Sequence, residues 1–160
     1  MSLRIRLRAI LGSTALVGAG AVPGFASTEL HILHINDFHS RIESISRFNS
    51  TCSDSDEAEG KCFGGAARVF TLATQMRAAI EAEGNPVILL DAGDASQGSL
   101  FYTTYGGQVE ADFLERLQLD AMAVGNHEFD LGPAGLAVFL DTVSFPVLSS
   151  NIDVSGEPLL

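Results

Sequence analysis

The sequence predicts an α/β fold with a largely parallel sheet, and three observations carry that reading. Apolar runs of strand length alternate with segments of helical spacing along most of the chain. The run 30–35 alternates weakly but is apolar overall, as in a buried strand, and 87–90 is continuously apolar, as in a strand buried on both faces. Three runs also end in oxygen or nitrogen ligands: Asn36-Asp37-Phe38-His39, Gly93-Asp94, and Gly125-Asn126-His127-Glu128-Phe129-Asp130. In open parallel sheets, ligands gather at the carboxyl ends of the strands, so the three clusters point to one shared site.

The elements follow in order. Residues 30–35 read as the first strand, and 40–64 as a polar loop. Residues 65–83 have helical spacing, with Ala66, Val69, Phe70, Ala73, Met76, Ala79 and Ile80 on one face. Gly84-Asn85-Pro86 stops that helix, and 87–90 is the next strand. Residues 94–107, with several glycines, read as a loop. A helix over 109–119, a strand over 120–124, a helix over 133–142 and a strand over 145–152 complete the pattern.

Residues 1–26 stand apart from this fold. Arg4, Arg6 and Arg8 precede an apolar stretch, 9–22, and Gly24-Phe25-Ala26 supplies small residues where a signal peptidase reads. The stretch falls short of the ~20 apolar residues of a membrane span. A signal peptide cleaved after Ala26 is expected, with an exported, periplasmic or extracellular product and no stable span. Cleavage removes three arginines and no acid, leaving a chain still more acidic than its net charge of −11. Such a chain lacks the electrostatic footprint of a nucleic-acid binder. Cys52 and Cys62, the only cysteines, are expected to pair after export. Closing a loop of that size stabilises by a little under ~3 kcal/mol in the chain-entropy model. Zinc is the rival reading, but two thiolates without neighbouring histidines make a poor site.

The ligand clusters differ in chemistry. Asp37 and His39 share a side of an extended or turning segment and suit zinc, manganese, iron or cobalt better than calcium. Asp94 follows a glycine that permits a tight turn, and its two oxygens can bridge two cations. Asp91, nearer the strand, reads as a hydrogen-bonded support. Asn126 offers a neutral carbonyl oxygen. His127 and Asp130 are spaced as an imidazole–carboxylate pair, which favours the protonated ring. Glu128, His31 and His34 read as structural.

In order and spacing, Asn36-Asp37-Phe38-His39, Gly93-Asp94 and Gly125-Asn126-His127-Glu128 resemble the motifs of calcineurin-like metallophosphoesterases. More narrowly, the chain looks like the catalytic domain of the secreted 5'-nucleotidase family. The likeness runs from about residue 30 to 160 and includes Cys62-Phe63-Gly64-Gly65-Ala66-Ala67-Arg68. The resemblance implies a four-layer α/β/β/α sandwich, present here in part, and two divalent cations (Zn, Mn, Mg or Co). Asp37 and His39 would bind the first, Asp94 both and Asn126 the second. His127, paired with Asp130, would stabilise the transition state of phosphoester cleavage on a nucleotide.

The family completes its site with further histidines, including a Gly-His-x-His motif, and with a C-terminal domain that holds the base. The four histidines here are His31, His34, His39 and His127. Residues 27–160 are therefore expected to be the N-terminal part of a longer catalytic domain, binding metal weakly and with little hydrolysis alone. Within the same fold, a 2',3'-cyclic phosphodiesterase, a UDP-sugar hydrolase or a thiosulfohydrolase are the alternatives, and the cysteine pair tilts the reading toward the nucleotidase. From another class, the alternative is a non-catalytic domain that binds a cation or a partner. Oligomeric state has no signature in the sequence.

Overall fold

The computed structural model describes residues 3–8 and 27–160. Its five-stranded sheet has the order β1-β2-β5-β6-β7, formed by Leu3–Arg8, Ser27–Ile35, Val87–Asp91, Ala121–Ala123 and Val147–Leu148. β2, β5, β6 and β7 run parallel, and β1 pairs antiparallel with β2. β1 lies inside the segment that the sequence assigns to a signal peptide. Residues 9–26, and with them the expected cleavage point after Ala26, lie outside the described residues.

The helices α2 (Ala66–Ala82), α4 (Gln108–Leu117) and α5 (Gly132–Thr142) connect the parallel strands. Their apolar side chains meet one face of the sheet. Leu33, Leu89 and Met122 from that face join Ala111, Leu114, Leu117, Leu136 and Phe139 in a single buried cluster. Truncating a buried leucine such as Leu89 or Leu114 to alanine should cost ~2–5 kcal/mol. The register places Ile32 opposite Ile88 and His34 opposite Leu90, on the other face. There Ile32, Ile88 and Leu90 are half-buried and Leu148 is 58% exposed. Among the described residues the fold is thus one helical layer on one sheet, part of the expected sandwich.

The expected strands and long helices form, with ends shifted by a few residues. Differences gather where elements are short. The expected loop 40–64 contains a two-stranded ribbon, β3 (Ile45–Ser46) with β4 (Cys62–Phe63), and the short helix α1 (Asp54–Ala58). Local chemistry explains α1: the Ser53 hydroxyl accepts from the Asp56 N–H at 3.2 Å, and acids fill the first turn. A disulfide joins Cys52 to Cys62, with the Cα atoms 6.0 Å apart. The expected loop 94–107 contains α3 (Leu100–Tyr105), capped by Ser99 and ended by Gly106 in the left-handed region. The last expected strand, 145–152, shrinks to Val147–Leu148. On α2, Ala66, Val69, Ala73, Met76 and Ile80 face the core, whereas Phe70 and Ala79 turn outward.

Candidate metal centre

The parallel arrangement puts the carboxyl ends of β2, β5 and β6 at one edge of the sheet. Beyond the strands, the first two segments stay zipped together. The N–H groups of Ala92, Asp37, His39 and Ser40 donate to the carbonyls of Ile35, Gly93, Asp94 and Ala95 at 2.9–3.0 Å. This keeps Asp37, His39 and Asp94 side by side. The geometry demands unusual backbone: Asp37, His39, Ser40, Asp94 and Gln97 all have φ between 48° and 69°. Non-glycine residues hold that conformation only when their surroundings enforce it, and such residues cluster at functional sites.

The segment after β6 packs directly onto the one after β5. A Cβ added to Gly93 would lie 2.6 Å from the Gly125 nitrogen, and one added to Gly125 would lie 2.3 Å from Asp94 Oδ1. Only glycine permits this approach. Glu128, 4% exposed, locks it. Its Oε2 accepts from the N–H groups of Asp94 (3.0 Å) and Gly125 (2.8 Å), and its Oε1 from that of Ser96 (3.1 Å). The structural reading of Glu128 thus gains a definite form: one buried carboxylate serving three backbone donors from two segments.

Asp91 is a support of the same kind. Its Oδ1 accepts from the Gly93 N–H at 2.9 Å, while the buried Oδ2 has no hydrogen-bond partner. Burial, aided by the nearby Glu128, Asp37 and Asp94 carboxylates and opposed by the Gly93 bond, pushes its pKa up to about 7. His31 is buried inside β2, 3.6 Å from Glu29, and His34 is exposed, so neither lies at the strand end.

On this frame, ligating atoms of His39, Asp94 and His127 lie within 4.8 Å of one another. Asp37 Oδ1 is 3.5 Å from His39 Nε2, and the Asn36 amide donates to Asp37 Oδ2. The His39 and His127 rings meet edge to face with centroids 5.0 Å apart. Asp94 Oδ1 accepts from the His127 N–H at 2.9 Å. His127 begins a 3₁₀ turn, His127–Phe129, which brings its Nδ1 to 2.9 Å from Asp130 Oδ2. That bond raises the His127 pKa above the ordinary imidazole value; desolvation opposes it, and the charges of Asp130, Asp94 and Glu128 add to it. With Nδ1 occupied, Nε2 is the nitrogen left to act. Asn126 precedes the turn, is exposed, and makes no side-chain cap to it, so its amide oxygen stays open.

The donor set fits divalent cations. It mixes carboxylate and imidazole, the ligand types that suit divalent transition metals. Among the described residues, the Lys and Arg salt bridges lie elsewhere, on Glu57, Glu59, Asp112 and Asp120, so no basic side chain neutralises the cluster by pairing with it. The structure also reveals groups that the sequence reading missed. Ser40, Ser96, Ser99 and Glu110 support these segments through contacts distant in sequence, and no local motif marks them.

Comparison with known proteins identifies the family. Residues 30–159 match the calcineurin-like phosphoesterase family. The chain is 46% identical over 147 residues to human 5'-nucleotidase, covering 90% of this chain and 24% of that protein. It is 45% identical over 131 residues to the snake venom 5'-nucleotidase of Naja atra, covering 81% of this chain and 23% of that one. The crystal structure of a 5'-nucleotidase precursor from Thermus thermophilus superposes with a TM-score of 0.65 at 40% identity, covering 80% of this chain and 23% of that one. The chain spans about a quarter of the length of the curated relatives it matches. No described helix is long and apolar enough to cross a membrane. Matched to the family model over residues 30–159 and sharing its α/β fold with the Thermus thermophilus structure, this chain belongs to the calcineurin-like phosphoesterase family.

Proposed function

We propose that the chain is the N-terminal part of the catalytic domain of an exported 5'-nucleotidase, which releases inorganic phosphate from nucleoside monophosphates. The observation that carries this reading is the convergence of His39, Asp94 and His127 at the sheet edge, with Asp130 on the far nitrogen of His127. The likeness to 5'-nucleotidases directs it to nucleotides.

In this reading Asp37, His39 and Asp94 would hold divalent cations, with the Asn126 amide oxygen as a further ligand. When bound, such cations supply Lewis acidity toward a phosphoester. By accepting from Nδ1, Asp130 favours the protonated form of His127. The Nε2–H is then available to a phosphoryl oxygen that gains charge, or to the departing alkoxide as a proton source. Glu128 and Asp91 act on backbone rather than substrate, keeping Asp94 against the His127 turn.

Residues 1–26 would direct export and be removed after Ala26. The remaining ligands and the base-binding surface would come from further chain, and residues 1–160 alone would turn over little substrate. Phosphate release from AMP by the full-length protein tests the reading. Release should need a divalent cation and stop with chelator. A full-length protein with no AMP hydrolysis across Mn²⁺, Zn²⁺, Mg²⁺ and Co²⁺, but with activity on a cyclic phosphodiester or a UDP-sugar, would move the assignment elsewhere in the fold.

A further inference from the structure

One fully buried carboxylate has no part in the chemistry proposed above. Glu110, in the first turn of α4, is 0% exposed. Acidic side chains are almost never buried so completely without a partner. Its partner comes from the site segment: the Ser40 hydroxyl, also 0% exposed, donates to Glu110 Oε1 across 70 residues of sequence.

Proton counting orients the chain of bonds. A serine hydroxyl has one proton to give. Ser40 gives its proton to Glu110. In the 2.6 Å contact between Ser40 and Ser99, Ser99 must therefore donate. Ser99 Oγ in turn accepts from the Phe101 N–H at 3.1 Å, as the cap of α3. The bonds thus run one way, from the backbone of α3 through Ser99 and Ser40 to the carboxylate in α4. They join three elements behind the metal centre.

Ser40 directly follows His39, and both residues have left-handed φ, 54° and 48°. Two successive side-chain-bearing residues do not hold that conformation unaided. On one side, their N–H groups are held by the carbonyls of Asp94 and Ala95. On another, Gly98 lies so close that a Cβ there would come within 2.7 Å of the His39 carbonyl oxygen. The Ser40 hydroxyl supplies the tether toward α4.

We infer that Glu110 is a positioning residue of the metal centre: through the Ser40 hydroxyl it holds His39 in the left-handed conformation that presents its imidazole beside Asp94 and His127. This rests on the metal-centre reading given above. Partners of this kind, one step removed from a ligand, typically change metal affinity ~10–100-fold when lost.

Two variants of the full-length protein isolate the link without stranding a buried charge. Glu110→Gln keeps a carbonyl oxygen to accept from Ser40. Adding Ser40→Ala removes the bond altogether. Mn²⁺ alone is titrated by electron paramagnetic resonance, at a temperature where melting in chelator shows each variant folded. Glu110→Gln should bind within ~3-fold of wild type, and the double variant at least ~10-fold more weakly. Equal affinities in the two variants overturn the inference, even if the double variant melts lower, because that is the mark of a merely structural bond. Should the double variant not fold, Ser40→Ala alone must show the same loss, and wild-type affinity there overturns the inference equally. His39→Ala separates the two levels. If it leaves Mn²⁺ affinity unchanged, the metal-centre reading itself falls. If it abolishes binding while Glu110→Gln and the double variant match, only the role of Glu110 falls.

Discussion

The carboxyl edge of the sheet and the disulfide-closed excursion both hold irregular backbone in place, by opposite means. At the edge, Ser40, Asp91, Ser96, Glu110 and Glu128 are all at most 4% exposed and bond to backbone or to one another. In the excursion, none of residues 43–61 is buried, and the Cys52–Cys62 bridge closes its second half. Buried polar groups fix atoms in the folded state, at high risk if one partner is lost. A cross-link acts mainly on the unfolded chain and positions few side chains. The contrast teaches where accuracy is needed: the edge must place ligand atoms, while the excursion need only stay attached.

Four perturbations sharpen or break that contrast. The largest effect should come from Glu128→Ala. It removes the acceptor for three N–H groups at once, and we expect a loss of ~3 kcal/mol or more, with a collapse of Mn²⁺ affinity. Denaturation in chelator and metal titration read the two effects. A variant that kept both would mean that the edge is held by something else. Replacing Cys52 and Cys62 by serine should lower stability by a little under ~3 kcal/mol, yet leave Mn²⁺ affinity alone. A tenfold fall in affinity there would erase the distinction between the regions.

A glycine pair makes the comparison at smaller scale. At Gly125 an added methyl meets Asp94 at 2.3–2.4 Å and Glu128 at 2.8 Å, whereas Gly60 has nothing within 4 Å. Gly125→Ala should cost ~2–3 kcal/mol through overpacking. Gly60→Ala, burdened only by its φ of 69°, should cost ~1 kcal/mol. Equal costs by denaturation would show the edge to be as yielding as the excursion.

The fourth concerns pH. The Asp91 carboxyl has its folded pKa raised from 3.8 to about 7, so between those values the fold keeps a proton that the unfolded chain has lost. Stability of the metal-free protein should therefore decline as pH rises from about 4 to about 7, and stay lower above that. Asp91→Asn, which keeps an acceptor for Gly93, should remove this decline and stabilise the metal-free protein by ~1–2 kcal/mol at pH 8. An unchanged pH dependence would show that Asp91 is not the strained group.

The sheet and its ligand-bearing ends were legible because the signals are local. A buried parallel strand is an apolar run, and the residues after it form the candidate site. Asp37, His39, Asp94, Asn126 and His127 all stand just past the ends of such runs, and the structure brings ligating atoms of His39, Asp94 and His127 together. The His127–Asp130 contact followed from spacing, because one 3₁₀ turn brings the two together. The α3 helix stayed hidden because its six residues sit among glycines and bury no side chain fully. Glu110 was out of reach for another reason. Its partner lies 70 residues away, and a glutamate in the first turn of a helix is ordinary at sequence level. The left-handed backbone at His39 and Ser40 was equally silent, since the usual glycine signal is absent there.

The most direct test is steady-state phosphate release from AMP by full-length His127→Ala, with Mn²⁺ affinity measured in parallel. His127 lies within the cluster able to bind metal, but with Asp130 on Nδ1 it is assigned to the phosphoryl group rather than to a cation. The rate should fall ~10²–10⁴-fold while Mn²⁺ affinity stays near wild type. A full rate in His127→Ala would contradict the catalytic assignment, and a lost rate matched by lost metal would make His127 a ligand instead.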